Sequence, residues 1–264
     1  MQDSFNRRQN LVHRTLELWR PPVFATNGGR WQKFKAATRR YFDLQAGSAW
    51  KDLSAELPKV NGTILDVGCG AQPFRSLIPN QVKYIGIDTA DAKSNFGYDV
   101  PDTIYFSGDI WPIENGSVDC ILCSETLEHV LEPDLFLKQM HRCLRSKGRV
   151  ILTVPFAARW HFIPYDYWRF TPSSLNHLLC QAGFTEIEVY ARGNAVTVAC
   201  YKVMALILSL LLSQSPHRLL ILISRILGLF ASPGLIILAT IANISSKMQG
   251  GDDCLGYTVL ATRE

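Results

Sequence analysis

One stretch limits what this chain can fold into more than any other: Thr63–Phe74, TILDVGCGAQPF. A short apolar run, Ile64, Leu65 and Val67, carries an acid at Asp66 and empties directly into Gly68-Cys69-Gly70. Buried parallel strands read as such runs, and a glycine turn at the carboxyl end lets a ligand come against the backbone. Glycine suits that turn because it accepts positive φ and has no Cβ to hold a ligand off. Gly-x-Gly after a strand is a weak signal alone, so its meaning rests on the residues downstream and their spacing.

Two acid-tipped runs come next. Lys83–Asp88, KYIGID, reads as a second strand whose terminal acid comes 22 positions after Asp66. A carboxylate at that place, about 20 residues on, grips a ribose diol in nucleoside-binding α/β folds. Ile104–Ile110, IYFSGDI, reads as a third strand ending in Asp109, placed to meet an adenine edge. Three acids at successive strand ends favour a nucleoside with hydroxyls and an amine, and repel a pyrophosphate. The dinucleotide fingerprint G-x-G-x-x-G needs its third glycine at position 73, where this chain has Pro73. The dinucleotide reading fails.

LDVGCG, the GID ending at Asp88, the GDI at Asp109 and the later CSETLEHV together resemble the signature series of class I S-adenosylmethionine-dependent methyltransferases. The likeness is greatest to the small-molecule, type 11-like group, whose fourth strand runs into an LEHV-type segment. It covers roughly residues 60–190 and the last strand. The resemblance implies an α/β fold with a Rossmann-like, doubly wound, mostly parallel seven-stranded sheet. It also divides the chain into an N-terminal helical arm or lid (1–60), a cofactor-binding core (61–194), an apolar helical insertion (195–250) and the last strand (251–264). The implied cofactor is S-adenosyl-L-methionine. Gly68, Cys69 and Gly70 would give backbone approach, Asp66 would support the methionine end, Asp88 would hold the ribose, Asp109 with Ile110 would read the adenine, and Ser124 would lie nearby. One departure is Gln72, where the family often has a further glycine; Gln72-Pro73 should alter how the first helix begins.

Val118–Ser124, VDCILCS, is nearly continuous in apolar residues, as a strand covered on both faces should be. Ser124–Val130 leaves its carboxyl end, with His129 either beside the cofactor or anchoring the loop. A helix is predicted over Leu135–Leu144, closed by Lys147-Gly148, and a fifth strand over Arg149–Val154. Then comes Pro155–Pro172, PFAARWHFIPYDYWRFTP, with two Trp, two Tyr and three Phe. Loops are normally polar, so such aromatic density needs a cause. The resemblance implies an acceptor-binding loop, with Trp160, Tyr165, Tyr167, Trp168 and Arg169 as contacts; the alternative is a loop that simply packs over the sheet edge. Methyl transfer to oxygen or carbon also needs a base, for which His161, His129 and Asp166 are candidates, His161 first. Thr171-Pro172 then starts a helix and Gly183 ends it.

The net charge of +4 is too small to argue for nucleic acid, and SETLEHV stands where amino-methylating nucleic-acid enzymes carry an Asn/Asp-Pro-Pro-Tyr/Phe segment. Seven scattered cysteines read as a reduced, cytosolic set. Cys120-x-x-Cys123 lies within a strand and has no second pair, so no metal is expected. The opening residues MQDSFNRRQN lack the apolar core of a secretory signal.

The arm reads as a helix over Asp3–Trp19, a basic amphipathic helix over Arg30–Leu44, and a third over about Ser48–Leu57. The basic helix, at 30–40 above all, is either packed on the core, a lid, or a contact for anionic headgroups, each cation worth about 1 kcal/mol near such a surface. Between Glu188 and Asp252 there is no acidic residue, while Lys202, Arg218, Arg225 and Lys247 remain. Ala195–Leu212 and Leu219–Ala242 are largely apolar, the second broken by Pro233-Gly234. Such a pair can span a bilayer, lie in its interface, or cap a soluble protein. Arg225 would cost roughly 2.5–3.5 kcal/mol at the centre of a span, which favours the interface. The expected protein is therefore cytoplasmic, peripheral on the inner face of a membrane, methylating a small-molecule or lipid-linked acceptor of glycan or quinone type. A non-catalytic nucleoside-binding or scaffold protein is the rival.

Overall fold

In the computed structural model, Leu11 and residues 29–92, 99–213 and 217–264 are described. The seven strands are β1 (Thr63–Val67), β2 (Lys83–Thr89), β3 (Thr103–Phe106), β4 (Val118–Ser124), β5 (Leu144–Pro155), β6 (Phe184–Arg192) and β7 (Gly256–Arg263). They form one sheet in the order β3-β2-β1-β4-β5-β7-β6. β1 pairs in parallel with β2 and β4, as β2 does with β3 and β4 with β5, whereas β7 is antiparallel to both β5 and β6. This is the doubly wound, mostly parallel α/β sheet expected. Its strand order reverses at β1, so the crevice over the carboxyl ends of β1 and β4 is the topological switch point where such sheets bind ligands.

Burial follows from that topology. Ile64, Leu65, Ile121, Leu122, Ile151 and Leu152 are all fully buried, because helices cover both faces of the central strands. One face packs on α2 (Leu44–Glu56) and the turn after it through Leu53, Leu57 and Val60, with α1 (Arg30–Phe42) lying against α2. The other packs on α3 (Pro133–Cys143) and α4 (Pro172–Gln181) through Leu137, Met140, Leu175 and Leu179. Thr171 caps α4: its hydroxyl accepts from the Ser174 amide at 3.2 Å, and the Ser174 hydroxyl accepts from the Thr171 amide at 2.9 Å.

Several elements differ from the sequence expectation. α2 begins at Leu44, four residues before the expected Ser48, with the Asp43 carboxylate accepting from the Ala46 amide at 3.2 Å as its cap. No α-helix joins β1 to β2; only a single 3₁₀ turn, Arg75–Leu77, forms there. Gln72 adopts φ +52° and Pro73 follows, which removes the geometry for a helix start. β3 stops at Phe106, because its pairing with β2 ends at Thr89 and Gly108 turns away at φ +89°. Asp109 and Ile110 therefore stand in the following loop. α3 ends at Cys143, one residue early, and Lys147-Gly148 lies inside β5: Leu144 already pairs with Val118, so sheet bonding overrides the helical pattern. The helix expected at Asp3–Trp19 falls outside the described residues, apart from Leu11.

Three helices occupy the stretch between β6 and β7: α5 (Ala195–Leu211), α6 (Arg218–Ala231) and α7 (Pro233–Ser245). Asn194 starts α5 by accepting from the Val196 and Thr197 amides at 3.1 and 3.3 Å. α5 and α7 seat on the core through Val198, Met204, Ala239 and Ala242, against Leu44 and Leu255. The carboxyl end of α1 joins them, with the Tyr41 hydroxyl 2.5 Å from Thr240 Oγ1 and the Asn243 amide donating to the Tyr41 carbonyl at 3.0 Å. α6 buries only Gly228. Among the described residues no single helix is long and apolar enough to cross a membrane; α6 and α7 reach that length only together, bent by 53°.

Candidate active site

Two groups of side chains gather at the carboxyl edge of the parallel strands. The first surrounds the turn after β1. Gly68 and Gly70 take φ +66° and +49°, and a Cβ on Gly68 would run into the Thr126 side chain. Both conditions demand glycine at Gly68. The Gly68 and Cys69 amides donate to the Ile87 carbonyl at 2.9 and 3.2 Å, fastening the turn to β2. Asp88 completes the fastening: its carboxylate accepts from the Gly70 amide at 2.9 Å and from its own neighbour, the Thr89 amide, at 2.8 Å. Burial nonetheless holds the Asp88 carboxyl above its ordinary value.

Asp66 lies beneath this turn. It is buried, accepts from the Tyr84 hydroxyl at 2.7 Å, and is pushed up by burial to about 7. Gln72, Arg75 and Tyr84 fill the space that the missing helix leaves: Gln72 bonds Thr103 at 3.1 Å and Arg75 at 3.3 Å, and Arg75 lies 4.0 Å over the Tyr84 ring. The Cys69 thiol is buried and raised to about 12, so this residue offers its backbone and not a reactive sulfur. Ile110 is 75% exposed at the rim beyond β3, next to the exposed Asp109. Ser124, at the tip of β4, bonds Thr153 across the strands at 2.8 Å.

The second group joins the segment after β4 to the aromatic loop after β5. The loop docks by its backbone, the Tyr167 and Trp168 amides donating to the Glu128 carbonyl at 2.9 and 3.2 Å, and the Trp168 indole to the Val130 carbonyl at 2.8 Å. Asp166 is a buried hub. Arg169 grips it with both guanidinium nitrogens, at 2.6 and 2.7 Å, and His161 approaches with its amide at 3.0 Å and Nδ1 at 2.9 Å. Although burial opposes it, these donors hold the Asp166 carboxyl well below the usual carboxylate range. Asp166 is thus arranged to orient His161, and its own affinity for a proton is too low for a base.

His129 Nδ1 lies 2.8 Å from the Tyr165 carbonyl, and its ring meets His161 edge-on with centroids 5.1 Å apart. Burial lowers His129 to about 4, so the ring is neutral at physiological pH. Phe162 closes one side, in contact with both imidazoles. Tyr167 and Trp168 are about two-fifths exposed along the loop, while Trp160 and Tyr165 are half-buried.

Sequence reasoning passed over Glu128. Its side chain is fully buried, and neither carboxylate oxygen has a hydrogen-bond partner. Burial drives its pKa well above the ordinary value. An acid inside an apolar segment, Leu127-Glu128-His129-Val130, directly after a buried strand was the signal available. Glu125, three residues earlier, is satisfied instead by the buried Arg192 at 2.7 Å.

Residues 39–189 match a family profile described as a methyltransferase domain. An uncharacterised methyltransferase of Mycobacteroides abscessus is 34% identical over 100 residues, covering 34% of this chain and 39% of that protein. An uncharacterised 37.1 kDa transposon protein of Streptomyces fradiae is 30% identical over 113 residues, covering 39% of this chain and 32% of its own length. The chain thus spans about a third of the length of these curated relatives. Among solved structures, a SAM-dependent methyltransferase from Thermotoga maritima aligns with TM-score 0.51 and 16% identity, over 88% of this chain and 97% of its own. One from Archaeoglobus fulgidus aligns with TM-score 0.51 and 15% identity, over 89% and 100%. At these identities the two structures speak for the fold.

The glycine turn and the acid beneath it yield two expected outcomes. Asp88→Ala should weaken S-adenosylmethionine binding by about 1.5–3 kcal/mol, the scale of hydrogen bonds to a charged group, as read by calorimetry. Asp66 makes stability depend on pH: the unfolded chain releases this proton near 4, while the folded protein holds it to about 7. Across that window the folded state binds more protons, so stability falls as pH rises. Urea midpoints measured from pH 4.5 to 7.5 should show this fall, and Asp66→Asn should flatten it.

Proposed function

The chain belongs to the methyltransferase-domain family of class I, S-adenosylmethionine-dependent enzymes, and from that membership we propose that it transfers the cofactor's methyl group to a lipid-linked small-molecule acceptor. The observation that carries the reading is the pairing of two sites on one sheet edge: a glycine turn tied to Asp88 and, across Thr126, a pair of imidazoles under an aromatic loop. Thr126 links them, its hydroxyl reaching the Gly68 carbonyl at 3.3 Å.

The turn after β1 leaves room for the cofactor's amino-acid end, with Asp88 at the ribose and Ile110 and Asp109 at the adenine. Ser124 lies where the two sites meet. Bound S-adenosylmethionine supplies an activated methyl group on a cationic sulfonium. The protein's chief task is then to line up the acceptor atom, which can contribute up to about 7–11 kcal/mol. Trp160, Tyr165, Tyr167, Trp168 and Arg169 belong to the loop that would hold the acceptor. Its proton is taken up within the His129–His161–Glu128 cluster, where Asp166, clamped by Arg169, fixes the His161 ring.

A lipid-linked acceptor is favoured by the outer surface. Leu219, Leu222, Leu229 and Phe230 of α6 are at least half exposed, Phe230 at 82%. Ile236, Ile237 and Ile244 of α7, with Trp31 and Phe34 of α1, extend the same character. Apolar area on this scale marks an interaction surface. Arg218 and Arg225 on α6 and the basic residues of α1 put positive charge on the same helices, and no acid falls between Glu188 and Asp252. That combination suits an anionic bilayer interface, with the helices lying on it.

Incubation with methyl-tritiated S-adenosylmethionine and a bacterial total lipid extract should place the label in the organic phase. His161→Gln should lower its appearance by about 10²–10⁴-fold while cofactor affinity holds. Label confined to an aqueous extract would replace the lipid acceptor with a soluble one, and no S-adenosylhomocysteine from either extract would favour the non-catalytic alternative. Separately, the protein should float with phosphatidylglycerol vesicles and lose that property with Phe230→Asp; a stable dimer that leaves the vesicles alone would reassign the surface to self-association.

A further inference from the structure

Glu128, His129 and His161 converge beneath the aromatic loop, and the Glu128 carboxylate there has no hydrogen-bond partner. One ligand-type atom from each lies within 4.8 Å of those from the other two. His129 Nε2 is already 3.7 Å from Glu128 Oε1. Ligands placed at about 2.0–2.2 Å around a tetrahedral ion stand roughly 3.3–3.6 Å apart, so small side-chain rotations would bring the three into coordination.

The histidine tautomers point the same way. Nδ1 of His129 faces a carbonyl, that of Tyr165, at 2.8 Å. Nδ1 of His161 faces two acceptors, Asp166 Oδ2 at 2.9 Å and the Arg159 carbonyl at 3.0 Å. A nitrogen facing acceptors carries the proton, so in each ring it is Nε2 that is left to offer a lone pair to an ion. Metal-ligating histidines are held in this manner, the second ring nitrogen donating to a carbonyl or carboxylate that fixes the tautomer. The Asp166 carboxylate is fixed in turn by the two-pronged grip of Arg169. The third donor, Glu128, is an acid buried completely with both oxygens unpartnered. Removing such a group from water without a partner is expensive, and a divalent cation is a partner that would offset it.

We propose that Glu128, His129 and His161 bind a zinc-class divalent metal ion, leaving a coordination position open beneath the aromatic loop. Two imidazoles and one carboxylate, with no thiolate, are a donor set of catalytic zinc sites, which keep a position for water or substrate. The inference deepens the reading of this cluster as the place where the acceptor is activated: with the three side chains holding the ion, an acceptor oxygen on it would lose its proton more easily, and would release it to solvent. It also departs from the sequence expectation of no metal, which weighed only Cys120 and Cys123; both of those thiols are buried in β4.

The test uses the full chain, stripped with chelator, in a Cys180→Ser background because Cys180 is an exposed thiol. Equilibrium dialysis against zinc should give one ion per chain. His129→Gln, His161→Ala and Glu128→Gln should each abolish that stoichiometric binding, and Asp166→Asn should weaken it about 10–100-fold. Circular dichroism and S-adenosylmethionine affinity serve as checks on folding. If a variant fails to fold, cobalt decides on the unsubstituted chain: visible bands of a nitrogen- and oxygen-ligated ion without thiolate charge transfer support the site. Thiolate charge transfer, no stoichiometric uptake, or zinc retained in all three ligand variants would overturn it. A chain that binds S-adenosylmethionine and transfers methyl groups, yet takes up no zinc, removes the metal and leaves the methyltransferase reading intact.

Discussion

A carboxylate removed from water must find donors, take up a proton or meet a cation. This protein places five acids around one edge of a dry sheet, and each meets the constraint differently. Asp88 takes backbone amides, Gly70 among them, and so holds the glycine turn in shape. Asp66 takes one phenol and stays protonated to about 7. Glu125 takes the buried Arg192, which also donates to the Val154 carbonyl and ties the edge of β6 to β5. Asp166 takes a bidentate guanidinium and an imidazole, which hold it well below the usual carboxylate range. Glu128 finds no hydrogen-bond donor, and burial drives its pKa well above the ordinary value. The chemistry assigned to each residue follows from this sorting: amide-bound and solvated enough at Asp88 for a polar ligand, locked at Asp166, unsatisfied at Glu128.

Elements whose local signal agrees with their long-range pairing were legible from the residues. β4 matches its expected bounds because seven residues with both faces covered leave no polar alternative, and α4 matches because Thr171-Pro172 is a complete start signal. The errors arise where tertiary pairing decides. Leu144 fits the helical stripe of α3, but its extended backbone pairs with Val118, so the helix ends and β5 begins early. IYFSGDI reads as one strand, yet β2 offers β3 partners only as far as Thr89. The missing helix after Gly70 was foreshadowed by Gln72-Pro73, although not its replacement by a packed Gln72–Arg75–Tyr84 group. Glu128 carries a local sign, an acid inside an apolar segment, but its role does not show there: its environment comes from a loop almost forty residues away, and no local spacing records that.

The helices between β6 and β7 show how a chain can add a surface without disturbing its sheet. β7 must return antiparallel between β5 and β6, and Leu255 and Gly256 mark the point where it re-enters. Asn194 and Ser245 hold the two ends of the excursion together, the Ser245 hydroxyl bonding Asn194 Oδ1 at 2.6 Å. α5 and α7 are anchored by this clasp and by contact with α2, so their inward faces are accounted for. α6 meets α5 only along a narrow face, where Gly228 lies against Leu211, and it buries no other residue, so most of its apolar side chains face outward. Core packing therefore explains two of these helices and leaves the third to an external partner, which is why the bilayer proposal rests on α6 and on the cations that accompany it.

The segment Ser124–Val130 is the physical link between the two halves of the site. Its first residue bonds across to β5, its third touches the glycine turn through Thr126, and its fifth and sixth are Glu128 and His129. The aromatic loop hangs from the same segment, because the Glu128 carbonyl receives the Tyr167 and Trp168 amides. A shift of this short stretch would move the glycine turn and the anchor of the aromatic loop together. A ligand held against Gly68 would thereby be connected to the geometry of Glu128, His129 and, through the loop, His161.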